Sequence, residues 1–171
     1  PWPRDYTTVL EPTLGTWDYG TGPWFGIWQM FVLKDGNTYL GYYEGGPGSF
    51  QIGLAISTDG INWTKYNGDG GPVLTLGSPG DWDDGFVRDA CVIKDGSVYK
   101  MWYTGWKSGS AGSVDHIGYA NSTDGITWQK YDDPSTTDDP YAHSDPVMKA
   151  TGAEWDYSIM EPVVIKEDGI Y

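Results

Sequence analysis

Basic residues are scarce in this chain of 171 residues: ten lysines and arginines face 24 aspartates and glutamates, for a formal charge of -14. A surface of that sign repels phosphate backbones, which argues against nucleic acid as a partner. Cys91 is the only cysteine, so no intrachain disulfide can form. Within Ala90-Cys91-Val92-Ile93 it reads as a small buried hydrophobe. No apolar run is long enough for a helical membrane span, and no membrane partner is expected. The two histidines, His116 and His143, lack metal-ligand spacing. Helical periodicity between recognisable caps is missing too, which removes helical bundles.

What the chain has in quantity is aromatic residues, with ten Trp and thirteen Tyr, and 25 glycines scattered rather than clustered. The aromatics are too many for a disordered chain, and the glycines mark many tight turns between short strands.

One phrase occurs twice. Ile52-Gly53-Leu54-Ala55-Ile56-Ser57-Thr58-Asp59-Gly60-Ile61-Asn62-Trp63 returns 65 residues later as Ile117-Gly118-Tyr119-Ala120-Asn121-Ser122-Thr123-Asp124-Gly125-Ile126-Thr127-Trp128. Phe31-Val32-Leu33-Lys34-Asp35-Gly36 likewise matches Cys91-Val92-Ile93-Lys94-Asp95-Gly96 and, more loosely, Val164-Ile165-Lys166-Glu167-Asp168-Gly169. Tyr39–Gly45 matches Tyr99–Gly105, Pro72-Val73-Leu74 matches Pro146-Val147-Met148, and Trp-Asp pairs stand at 17–18, 82–83 and 155–156.

Each block is rich in β-branched and aromatic residues and bounded by Asp-Gly or Gly turns, so each reads as a strand. Hairpin turns are expected at 35–36 and 95–96. One repeat then holds four antiparallel strands, the fourth being the Pro-Val-Leu/Met segment, with another copy over Thr7–Leu10. The fold class is all-β, and four-stranded repeats of this length predict a β-propeller; a sandwich would not account for the threefold Trp-Asp pattern. The expected division is an N-terminal outer strand and loop over 1–25, blade one over 26–75, blade two over 76–150, and the start of blade three over 151–171. About two and a half blades leave a ring unclosed. The chain is then part of a longer protein, or two copies associate as a homodimer that completes the ring.

A residue shared by the repeats is scaffold, and one that differs is a candidate for function. The first strand of each blade would line the central channel. At one equivalent position there, blade one has Gln29, blade two Asp89 and blade three Glu161. Two carboxylates converging on a channel suit acid–base work on a glycosidic bond.

Val87-Arg88-Asp89-Ala90 resembles the Arg-Asp-Pro motif of the five-bladed propeller glycoside hydrolases, the clan of arabinanases, β-xylosidases, invertases and levansucrases. Met160-Glu161-Pro162 resembles that clan's Glu-x-Pro motif, and the Ser-Thr-Asp-Gly-x-x-Trp hairpin its recurring Ser-x-Asp hairpin. The resemblance implies a carbohydrate substrate, with Glu161 as general acid, Asp89 as its tuning partner and Arg88 steadying Asp89 or a sugar hydroxyl. It implies a third acid on blade one, where this chain has Gln29. Gln29 can neither take a proton nor form a glycosyl ester, which leaves a non-catalytic sugar-binding or assembly module as the alternative. No cofactor is required by such chemistry. The setting implied is extracellular or periplasmic, with the cytoplasm as the alternative.

Trp24, Trp28 and Trp106 fall near the expected channel mouth, where they could stack on sugar rings or pack in the core. Asp81 and Asp84, with Asp83 between them, could hold Ca2+ through hard oxygens, or form a solvated acidic loop. His116 is a further metal candidate, because it differs from Gln51 at the equivalent place.

Overall fold

The structure is a computed structural model that describes residues 8–20, 26–66, 68, 71–109 and 114–171. Nine strands form among them: β1 (Gly26–Asp35), β2 (Thr38–Gly46), β3 (Gln51–Ser57), β4 (Thr64–Lys65), β5 (Phe86–Asp95), β6 (Val98–Trp106), β7 (His116–Ser122), β8 (Gln129–Lys130) and β9 (Pro146–Met148). One helical turn follows at Glu154–Asp156. The first sheet runs β1-β2-β3-β4, the second β5-β6-β7-β8 with β9 also on β7, and every pairing is antiparallel. No helix among the described residues is long and apolar enough to cross a membrane.

The predicted hairpins form: Asp35 pairs Thr38 and Asp95 pairs Val98, around Gly36 and Gly96 in the left-handed region. The fourth strand departs from expectation. It begins directly after each hairpin Trp, at Thr64–Lys65 and Gln129–Lys130. The Pro-Val segments take the other half of the same edge, through a bridge from Leu74 to Ile52 and through β9. Each outer strand is therefore split in two, and pieces of two or three residues carry no periodic pattern to read. Thr7 lies outside the described residues, and 8–10 form no strand. The expected inner strand over 160–166 joins no ladder either. It lies along β5, where the Val164 amide donates to Cys91 Sγ over 3.2 Å.

The Trp-Asp pairs build a repeated corner. Trp17 stacks on Tyr43 and Trp82 on Tyr103, both with centroids 5.8 Å apart. Asp18 accepts from the Tyr43 hydroxyl and, over 2.6 Å, from Lys65; Asp83 accepts from the Tyr103 hydroxyl and, also over 2.6 Å, from Lys130. Gly105 is fixed by this corner, since a Cβ there would fall 2.5 Å from the Trp82 ring. In the doubled hairpins, Ser57 and Ser122 each accept from the following Asp and Gly amides, and Asp59 and Asp124 each cap the next two amides. These residues are scaffold.

The two sheets share one apolar core that includes Tyr42, Leu54, Val87, Val92 and Met101. Burying each large side chain contributes about 1.5–3 kcal/mol. A polar joint repeats at the turns. Asp35 of the first sheet receives Lys94 and Tyr99 from the second. Asp95 of the second receives Lys166 and Tyr171 in the same way. Beyond that joint lies an exposed apolar face, with Val163 at 86% exposure, Ile165 at 73% and Ile170 at 75%.

Candidate functional site

The inner strands β1 and β5 break register at the same place. Their ladders slip between Ile27 and Met30 and between Arg88 and Cys91, so each carries a bulge where the candidate residues stand. Bulges re-aim side chains and recur beside active sites. Asp89 and Glu161 have φ of 54° and 56°, left-handed values that a non-glycine residue adopts only when its surroundings enforce them.

The enforcing contacts are a matched pair. The Asp89 amide donates to Glu44 Oε1 over 2.7 Å. The Glu161 amide donates to Thr104 Oγ1 over 3.0 Å. Glu44 and Thr104 occupy equivalent positions on β2 and β6, and both are buried. Each inner acid is thus pinned by a side chain from the second strand of the preceding sheet.

Ile27, Trp28, Gln29, Glu44, Arg88, Asp89 and Glu161 line one open cleft of about 700 Å³. Glu161 is exposed there, whereas Asp89 is 8% exposed and its Oδ2 accepts no hydrogen bond. Burial pushes the Glu44 carboxyl up to about 7; the Asp89 amide opposes that rise and the Asp89 carboxylate adds to it. Arg88 lies between two acids, its Nε 3.4 Å from Asp89 Oδ2 and its Nη2 4.0 Å from Asp115 Oδ1, with its guanidinium over the Phe86 ring. Asp115 also bonds the Ser158 hydroxyl and accepts from the Ile159 amide. It thereby fixes the segment that carries Glu161.

Of the residues singled out in the sequence, the cleft unites Gln29, Trp28, Arg88, Asp89 and Glu161. Trp28 is 48% exposed and meets Phe50 edge-on. Trp106 does not line the cleft; it stacks on Phe86, on whose ring Arg88 also rests. Trp24 lies outside the described residues. Asp81 accepts from the Ser78 amide and contacts His143 Nδ1, and Asp84 accepts from the Gly80 and Ser108 amides. His116 Nδ1 accepts from the Ala150 amide, and burial lowers its proton affinity. Among the described residues no group of three or more His, Cys, Asp or Glu could hold a metal ion.

Glu44 and Asp115 escaped the sequence reading. For Glu44 the signal existed, because the repeats disagree there: Tyr43-Glu44-Gly45 aligns with Tyr103-Thr104-Gly105. Asp115 gives no such signal, since its role depends on a partner 43 residues away.

No family model matches the chain. Two uncharacterized proteins of Mycobacterium tuberculosis strains, Rv1502 and MT1551, are each 31% identical over 153 residues, which take in 82% of this chain and 44% of the relative. The chain thus spans under half the length of the curated relatives it matches. Among solved structures, a glycosyl hydrolase of Bacteroides ovatus is similar with a TM-score of 0.59 at 19% identity, over 76% of this chain and 40% of that one. A structure from glycoside hydrolase family 130, whose mannoside phosphorylases include hydrolases of β-1,2 mannosidic linkages, reaches 0.59 at 18% identity, over 82% and 42%. A Bombyx mori family 32 β-fructofuranosidase reaches 0.51 at 20% identity, over 62% and 22%. The chain shares a fold with these glycoside hydrolases.

Proposed function

We propose that the two sheets are consecutive blades of a five-bladed propeller, and that the chain carries the acid side of a glycosidase site for oligo- or polysaccharides. One observation carries this reading: two acids on equivalent, strained inner positions, Asp89 and Glu161, converge on a single cleft. Exposed Glu161 donates its proton to the leaving glycosidic oxygen. The Asp89 carboxylate faces the positive charge that develops on the sugar ring, and Arg88 holds it in place. Trp28 offers an aromatic face to a sugar.

The test is turnover of aryl arabinosides, xylosides and mannosides and of fructans. Glu161→Gln should abolish cleavage while leaving sugar binding. Gln29 favours a second reading, a propeller module that binds sugar without cleaving it. Binding by the wild type with no turnover on any of these substrates would support that module and overturn the enzyme. The exposed Val163, Ile165 and Ile170 fit a ring, in which a further blade would cover them. A homodimer that completes the ring is the assembly we propose; a monomer in sedimentation velocity overturns it.

A further inference from the structure

We propose that Glu44 is the proton acceptor of the cleft and supplies the third carboxylate that Gln29 lacks. The assignment rests on the glycosidase reading above. Glu44 stands on β2, next to the strand that carries Gln29, and both line the same cleft with Asp89 and Glu161. A carboxylate buried on an otherwise apolar and aromatic strand is costly unless it is used. Holding the Asp89 backbone does not require one, because Thr104 holds Glu161 with a neutral hydroxyl. The repeats share the contact and differ in the carboxyl group, so the carboxyl group is what needs explaining.

The charged groups facing Glu44 are few. From β5 come Asp89 and Arg88, and from the segment after β9 comes Glu161; Gln29 on β1 does not titrate. Burial and the Asp89 carboxylate favour the protonated form of Glu44, and Arg88 favours the ionised one. This balance places its proton exchange near neutral pH, where a general base is most effective. In the step inferred, a water oxygen forms the bond to the anomeric carbon and its proton passes to Glu44. The glycosidic C–O bond breaks with its electron pair on the leaving oxygen, which takes the proton of Glu161.

The repeat supplies the control variant. Glu44→Thr copies the native Thr104 arrangement, so it keeps the acceptor for the Asp89 amide and removes the carboxyl group. Carboxyl 13C NMR of the glutamate-labelled chain should show one side chain titrating near neutrality, absent from Glu44→Thr. In turnover assays, kcat/KM of Glu44→Thr should fall by about 10²–10⁴-fold. Its limb near neutral pH should disappear, with thermal stability kept at neutral pH. Adding Gln29→Asp to this variant should restore part of the rate. Glu44→Thr with wild-type turnover and an unchanged pH profile overturns the assignment. So does a Glu44 carboxyl that titrates near the ordinary value of about 4.3, whatever the sugar result. Wild-type protein that cleaves no glycoside overturns the glycosidase reading instead.

Discussion

The amide of Glu161 donates to the hydroxyl of Thr104 over 3.0 Å, and Thr104 is fully buried. This contact holds the acid of one strand against the second strand of another sheet. Thr104→Val keeps the shape and removes the acceptor. The Glu161 amide then lacks its partner, which costs about 1–3 kcal/mol. Urea titration should report that loss, and sugar affinity should weaken with it because Glu161 loses its anchor. Thr104→Ser should restore both.

The pH dependence of stability follows from Glu44. Its carboxyl binds protons more tightly in the folded chain, near 7, than in the unfolded one, near 4.5. The folded state therefore holds more protons between those values, and this group's contribution to stability is full below about 4.5 and lost as pH rises to about 7. Urea midpoints from pH 4.5 to 7.5 should show this falling component in the wild type. Glu44→Gln should remove it and leave the opposing trends from the hairpin acids Asp59 and Asp124, whose bound amides hold their carboxyls low.

Asp83 tests the scaffold. It is fully buried against Lys130 and the Tyr103 hydroxyl, below the stacked Trp82. Asp83→Ala strands a largely buried ammonium group and should cost about 3–5 kcal/mol. Thermal melting will measure the loss. Asp18→Ala, at the equivalent corner, should behave alike.

The joint at Asp35 should matter less. Lys94 and Asp35 are both partly exposed, so Asp35→Asn should cost below about 1 kcal/mol and the effect should shrink in high salt. Paired melts at low and high ionic strength will separate this from the corner variants.

Much of this architecture was legible because it is stated more than once. The Trp-Asp corners and the Ser-Thr-Asp-Gly hairpins recur with the same spacing and fold alike. Asp89 and Glu161 could be found by asking where the copies differ. The split outer strand could not, because Thr64–Lys65 and Gln129–Lys130 are too short for alternation to show. The joint was hidden for another reason: Lys94 bonds the turn aspartate of the preceding repeat, Asp35, and a pattern internal to one repeat says nothing about its neighbour. Glu44 sat in plain view but was aligned as an ordinary strand residue.

The Asp35 and Asp95 joints are copies of one fitting, and the fitting has a direction: the acid always belongs to the earlier turn and the Lys–Tyr pair to the later one. Lys34 already lies over the Tyr39 ring, as Lys94 does over Tyr99, yet among the described residues it meets no carboxylate. The first sheet therefore presents a vacant socket and the turn after Lys166 an unused plug. Growth of such an array can proceed only head to tail. Nothing in the fitting counts its members, so their number must be set by the curvature at which the last plug reaches the first socket.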